Sequence, residues 1–328
     1  MTEVAEFPAL TDTYRRELTA HCYRMTGSIH DAEDLVQETY LRAWRGYAAF
    51  EGRSSVRTWL YRIATNVCLT SLEGKARRPL PTGLGAPAAD PGDVLAQSTE
   101  VPWLEPAPDP LVAGATSDPA TIVAERDSIR LAFVAALQHL PARQRAVLIL
   151  RDVLRWRASE VAAALETTEP AVNSALQRAH AQLAKAELTQ DTVDTALDPE
   201  QQAMLDRYVQ AFWDKDIDAI VGMLTHDAVW EMPPYTGWYR GAADIGRLID
   251  TQCPGGVHEM PMVATGANGQ PAFGLYLRQP DGSFAPFQLQ VLTLAGGRVC
   301  HVAAFFEPAL FATFGLPVAL PADHRVPA

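Results

Sequence analysis

The chain has 328 residues, 48% of them hydrophobic, and its 27 basic and 39 acidic side chains leave a net charge of −12. This length exceeds one ordinary core and predicts two or three domains; no run approaches the ~18 apolar residues of a membrane span, and the acidic start MTEVAEFPAL lacks the parts of a signal peptide, so a cytoplasmic protein without a membrane partner is expected. Cys22, Cys68, Cys253 and Cys300 are far apart with no C-x-x-C spacing, which predicts small buried apolar residues rather than a zinc site or a disulfide framework, and no metal or cofactor is expected.

The charge is uneven along the chain. Residues 1–78 hold 11 basic against 10 acidic side chains and residues 121–190 hold 9 against 7, whereas residues 79–120 hold six acidic and no basic ones. A protein that binds DNA unaided usually carries a strongly basic surface, because neutralised phosphates supply most of the affinity. If the near-neutral segments touch DNA, another component must supply much of the binding.

In DAEDLVQETYLRAWRGY, Ala32, Val36, Tyr40, Ala43 and Tyr47 recur at helical spacing, with Leu35 and Trp44 beside them. Asp31, Asp34, Glu38, Arg42 and Arg45 fall on the opposite face, which reads by itself as a solvated surface with acids near the helix N-terminus. After the polar turn at 50–54, Val56, Trp59, Leu60, Ile63 and Val67 predict the buried stripe of a second helix. This leaves Tyr61, Arg62, Thr65 and Asn66 outward, with Arg57 at the helix start. Cations for phosphates, a ring for stacking and an amide for base edges suit single-stranded DNA. A snorkelling arginine and an edge tyrosine are the simpler alternative.

The strings DAEDLVQETYLRAW and FEGRSSVRTWLYRIATNVCL closely resemble regions 2.2 to 2.4 of the extracytoplasmic function (ECF) group of sigma-70 transcription initiation factors. The resemblance implies that Asp31, Asp34, Gln37 and Glu38 dock on the clamp helices of the largest subunit of core RNA polymerase. It also implies that Arg57, Tyr61, Arg62, Thr65 and Asn66 lie near the melted −10 element, trapping strands that open.

Segment 79–120, rich in proline and glycine, reads as an extended linker. Beyond it, an N-cap at Asp118-Pro119 and the spacing Ile122, Arg126, Ile129, Phe133, Leu137, Leu140 predict one helix, and Pro141 opens the next. Two shorter helices follow, packed by Val161, Ala162 and Leu165 and by Val172, Leu176, Ala179 and Leu183. The outer face of the last carries Asn173, Ser174, Gln177 and Arg178, side chains that can bond base edges in a major groove or form a solvated face. The stretch from Leu140 to Leu183 resembles region 4 of the same sigma group, in the right order after region 2. It implies that Thr168, Asn173, Ser174, Gln177 and Arg178 contact the −35 element of promoter DNA. Two departures stand out: Arg157 replaces a common small capping residue, and Glu166 occupies a turn position that often has glycine.

From Leu197 the pattern changes to helices followed by strands, opened by a capping box at Asp198-Pro199 with Gln201. Strands are predicted at 228–232, 257–266, 272–278, 283–295 and 298–306, with tight turns at Asp281-Gly282 and Gly296-Gly297. The arrangement resembles the SnoaL-like superfamily, a cone-shaped α+β barrel with a pocket. Trp213, Trp230, Met232, Tyr235, Trp238, Tyr276, Gln288, His301 and Phe305 are the pocket candidates, with His301 placed on one strand face beside Val299, Ala303 and Phe305. Acid–base chemistry would draw on His301, Asp227 or Glu231, but no spacing links them to a mechanism.

The expected architecture is thus multi-domain: an all-α sigma region 2 (1–78), an acidic linker (79–120), an all-α region 4 helix-turn-helix (121–190) and a SnoaL-like α+β domain (196–320). The expected function is a non-catalytic sigma factor that binds core RNA polymerase and promoter DNA. Its last domain would regulate it through a small-molecule ligand or packing, and an anti-sigma protein is a further expected partner type. The alternatives are a bifunctional protein with an active isomerase, cyclase or hydrolase domain, and a helix-turn-helix regulator that works without polymerase.

Overall fold

A computed structural model describes residues 12–52, 54–112, 127–184 and 198–326. The Asp118-Pro119 helix start and the positions of Ile122 and Arg126 lie outside them. The chain divides into two compact units, one formed by residues 1–78 with 104–188 and the other by 79–103 with 189–328.

In the first unit, α1 (Arg15–Thr26), α2 (Ile29–Gly46) and α3 (Val56–Leu72) pack around Leu18, Cys22, Met25, Val36, Leu60 and Ala64, all buried. Ser28 and Ser55 cap α2 and α3 by accepting hydrogen bonds from the Asp31 and Thr58 amides. Gly27, at φ 70°, makes the turn between α1 and α2, where an added Cβ would lie 2.8 Å from Leu104 Cδ1. Glu105 closes the same corner. Its Oε2 accepts hydrogen bonds from Ser28 Oγ at 2.8 Å and the Ile29 amide at 3.1 Å, placing a negative charge at the N-terminus of α2.

The same unit contains α4 (Leu131–Leu137), α5 (Ala142–Leu148) with a π-helical turn at Ile149–Val153, α6 (Ala158–Ala164) and α7 (Glu169–Ala184). The continuous helix predicted through Ile129 and Phe133 is interrupted at Arg130, whose backbone is extended (ψ 140°). Buried arginines join this half to the first three helices. Arg24 donates to Ser128 Oγ at 2.7 Å, and Arg145 donates to the Met25 carbonyl and to Gln138 Oε1. Burial lowers the Arg145 pKa to about 10.

The second unit opens with α8 (Pro199–Asp214), started by a capping box between Asp198 and Gln201, and α9 (Ile217–Met223). A six-stranded sheet follows: β1 (Leu224–Glu231), β2 (Trp238–Arg240), β3 (Met262–Ala267), β4 (Gln270–Arg278), β5 (Phe284–Ala295) and β6 (Arg298–Phe305), in the order β2-β1-β6-β5-β4-β3. β1 and β6 are parallel and all other pairs antiparallel. Helix α10 (Ala242–Gln252) was not anticipated, although Ile245, Leu248 and Ile249 have helical spacing. A short helix, α11 (Ala309–Thr313), ends the fold. The core lies between one sheet face and α8 to α10, formed by Tyr208, Phe212, Trp230, Ile245, Leu292 and Val302 among others.

Residues 79–103, read from sequence as part of a linker, run along this unit. The chain pairs with the turn and edge strand around β2: the Ala89 amide donates to the Trp238 carbonyl at 2.8 Å, the Thr236 amide to Ala96 at 2.9 Å and the Ser98 amide to Pro234 at 3.0 Å. Trp238 Nε1 donates to the Ala86 carbonyl at 2.9 Å. An extended segment has backbone groups free to satisfy an exposed sheet edge, which otherwise invites pairing with other chains. Among the described residues no helix is long and apolar enough to cross a membrane.

Candidate functional sites

On α2, Ala32, Val36, Thr39 and Ala43 face inward. Asp34 and Gln37 are exposed, Glu38 is ion-paired with Arg42 at 2.7 Å, and Asp31 is held by Arg78 at 3.1 Å. The sequence reading set Leu35 and Trp44 beside the buried stripe. The structure leaves Trp44 54% exposed and Leu41 50% exposed, next to the acidic residues. Large apolar side chains exposed within a charged rim mark a contact surface.

The face assignment on α3 needs correction. Arg62 and Asn66 are exposed as expected, but Tyr61 and Thr65 are buried, and Leu60, Ala64, Val67 and Cys68 complete the inner side. The Tyr61 hydroxyl donates to Glu17 Oε2 at 3.0 Å, and Thr65 Oγ1 lies 2.9 Å from His21 Nε2. With their polar atoms partnered by α1, both side chains can be buried without penalty. Arg57 pairs with the same Glu17 carboxylate at 2.6 Å and lies over the Tyr61 ring at 5.0 Å. Burial and the Glu17 charge raise the Tyr61 pKa far above its ordinary value, and burial lowers that of His21 to about 3. Arg62 and Asn66 open onto a groove of about 580 Å³ that also contains Arg42, Phe50 and Trp59. Phe50 and Trp59 lie 4.8 Å apart, ring to ring. This groove offers two cations, an amide and two aromatic rings tilted at 33°, beside the carboxylates of Glu51 and Glu166.

Thr168, just before α7, and Asn173, Ser174, Gln177 and Arg178 on it are all exposed, while Val172 and Ala179 are buried beneath them. Arg178 donates to Ser174 Oγ at 3.1 Å. Glu166 adopts φ 50° in the turn before α7, so a left-handed residue is required there even without glycine. The Glu160 carboxylate accepts from the Arg157 amide at 2.7 Å, so the start of α6 is held although Arg157 is not a typical cap.

In the second unit a cavity of about 210 Å³ opens among Trp230, Met232, Tyr235 and Gln288, four of the expected pocket residues. The other five lie elsewhere. Trp213 stacks on His258, Trp238 bonds Ala86, Tyr276 donates to the Pro317 carbonyl, and His301 and Phe305 are on the other side of β6. The register explains the last two. A bulge at Cys300, where β6 steps from Val299 to His301 against β5, reverses the alternation, so Val299, Val302 and Ala304 join the core while Phe306 lines the cavity. Sequence alternation alone placed His301 with Val299. His301 Nε2 instead lies 2.7 Å from the buried Glu231 carboxylate, whose other oxygen accepts from the Thr82 amide at 2.7 Å. Asp227 is exposed, beside His226. The acid–base candidates therefore do not face the cavity. Phe212, Leu248, Ile249, Phe287 and Leu95 do, and only the strand register and the course of residues 79–103 could have revealed them.

Two family descriptions match this chain: sigma-70 region 2 over residues 10–78 and sigma-70 region 4 over residues 130–183. The chain is 57% identical over 317 residues to the ECF RNA polymerase sigma factor SigG of Mycobacterium tuberculosis, covering 96% of this chain and 85% of that protein. It is 29% identical to SigJ of the same organism, covering 94% and 93%. The crystal structure of Mycobacterium tuberculosis SigJ matches with a TM-score of 0.60 at 25% identity, over 96% of this chain and 99% of that one. The chain belongs to the ECF family of RNA polymerase sigma factors. It is a non-catalytic polymerase subunit that directs core RNA polymerase to promoters, built from two helical sigma regions and an appended α+β domain.

Proposed function

We propose that the groove beside α3 receives the melted −10 strand, with Arg62 and Asn66 in direct contact, Arg57 near the phosphates, and Tyr61 and Thr65 acting from beneath by fixing the pitch of α3 on α1. The observation that carries this reading is the convergence of Arg62, Asn66, Trp59 and Phe50 on one open groove. Asp31, Asp34, Gln37 and Glu38 with Leu41 and Trp44 form the polymerase-docking face. Thr168, Asn173, Ser174, Gln177 and Arg178 read the −35 element. The near-neutral charge of both DNA-reading parts fits this scheme, since polymerase holds them at high effective concentration on one promoter. The protein works in the cytoplasm, where polymerase and promoter meet.

The SnoaL-like domain is a regulator of these activities. Residues 79–103, which lie between the two promoter-reading segments in sequence, are held by its edge strand and by Glu231, so docking of this segment constrains the chain that links them. An enzymatic role is less favoured because Glu231 and His301 bond each other and Thr82 outside the cavity. Run-off transcription with core polymerase tests the groove. Substituting Arg62→Ala and Asn66→Ala together should abolish strand opening at −10 while core binding persists, and normal opening by the double variant would refute the assignment.

A further inference from the structure

His180 lies on α7 beyond the residues assigned to the −35 element. Its Nε2 is 2.6 Å from Asp152 Oδ2, in the π-helical turn that ends α5. The Leu154 amide bonds the Ile149 carbonyl at 2.9 Å, an i to i+5 bond that widens this turn, and Asp152 reaches α7 from it. Both side chains face solvent, at 55% and 39% exposure, and neither has another hydrogen-bond or ion-pair partner among the described residues. An exposed pair of this kind adds little to the stability of a fold.

Asn173 and His180 are seven residues apart, which sets them about 20° from each other around the helix axis. They share one edge of the exposed face whose centre is Ser174 and Gln177. When a helix enters a major groove, the centre of its outer face meets base edges and its flanks meet phosphates. The other charged groups on the elements packed against α7 are engaged elsewhere or open to solvent. Arg145 points into the core, Arg151 donates to the Trp156 carbonyl, Glu160 bonds the Arg157 amide, and Arg143 and Arg157 are exposed. On α7 itself, Arg178 bonds Ser174.

The proton inventory limits what the pair can do. A neutral imidazole carries one N–H. With that proton donated from Nε2 to Asp152, Nδ1 presents a lone pair and repels a phosphate oxygen. An imidazolium donates from both nitrogens and bridges the carboxylate to the phosphate. Without the bridge, the Asp152 carboxylate repels the DNA backbone.

We propose that His180 binds a backbone phosphate beside the −35 element in its protonated form, with Asp152 as the positioning residue that fixes its ring. DNA binding then takes up a proton, so affinity rises as pH falls. The inference rests on the −35 reading of α7 and adds to it a contact that seats the helix without reading sequence.

The test uses holoenzyme made from core RNA polymerase and the full-length protein, with a fluorescent duplex promoter that this holoenzyme selects from a randomised library. Affinity is measured from pH 6 to pH 8 over a range of salt concentrations. At pH 6.5, His180→Gln should weaken binding about three- to tenfold on every promoter variant alike, and lower the slope of log affinity against log salt by about 1. Between pH 8 and pH 6, where imidazoles take up protons, the parent should gain roughly three- to tenfold more affinity than His180→Gln. His180→Arg, always charged and able to bond both partners, should restore tight binding and show no such gain. Asp152→Asn added to His180→Gln should recover part of the loss, because the unbridged carboxylate is gone. A His180→Gln holoenzyme that keeps the parent's affinity, salt slope or pH profile overturns the proposal. Arg178→Ala separates this inference from the reading beneath it. If Arg178→Ala costs affinity and His180→Gln does not, the phosphate contact alone falls; if neither does, the −35 assignment of α7 falls with it.

Discussion

Trp156 meets Tyr61 edge to face, with ring centroids 6.1 Å apart and planes at 72°. Tyr61 lies on α3 and Trp156 just before α6, so this contact ties the region 2 helices to those of region 4. Edge-to-face aromatic pairs contribute about 0.5–1.5 kcal/mol beyond their area. A double-mutant cycle with Tyr61→Leu and Trp156→Leu should return a coupling of that size in urea unfolding. Additive effects would show that the rings adjoin without stabilising each other.

Trp44 and Asp34 belong to the proposed docking face and have little role in the fold. Trp44→Ala and Asp34→Arg should each weaken core polymerase binding about tenfold or more, as central aromatic and charged contacts do. Their unfolding free energies should stay within about 0.5 kcal/mol of the parent, as for other surface changes. Binding isotherms that overlay the parent's for both variants would remove α2 from the interface.

Arg178 is exposed on α7 with its guanidinium near Ser174. Removing it as Arg178→Ala should cost about 1–3 kcal/mol in −35 recognition if it bonds a base edge, with the loss concentrated at one promoter position. A uniform loss across all promoter variants would identify a phosphate contact instead.

His21 carries a pH dependence whose sign is fixed by its burial. Its folded pKa, lowered to about 3 by burial and then by Arg24, lies below the ordinary 6.5. Between these values the unfolded chain binds a proton that the folded chain does not, so stability is intact above about pH 6.5 and falls as pH drops toward 3. The slope reaches up to about 1.4 kcal/mol per pH unit. Urea unfolding of the parent and His21→Gln at pH 7 and pH 5 should show a smaller acid loss in the variant. Equal losses would place the acid sensitivity elsewhere.

Glu231 is 2% exposed and bonds both His301 and the Thr82 amide. Glu231→Ala should leave both partners unsatisfied, release the segment around Thr82 and increase proteolytic cutting between Pro79 and Trp103, with an accompanying change in transcription. Leaving a buried hydrogen-bonding group without its partner typically costs about 1–3 kcal/mol. Unchanged cutting would mean that the edge-strand bonds near Trp238 hold the segment without it.

The helices of both sigma regions, their order and their exposed polar residues on α7 were legible in the sequence, because amphipathic spacing and N-caps act over a few residues. The inner face of α3 was not. A tyrosine and a threonine are buried there only because Glu17 and His21 of α1 meet their hydroxyls, and helical periodicity has no access to that partner. On β6 the alternation failed by one residue at a bulge, which moved His301 away from the cavity and brought Phe306 to it.

The amino-acid pattern by itself determined the family, the two DNA-reading modules and the class of the last domain, since these depend on local spacing and composition. Tertiary structure decided where residues 79–103 lie and which side chains face the cavity. Both depend on sheet register and on backbone hydrogen bonds, which pair residues more than a hundred positions apart and are blind to side-chain identity.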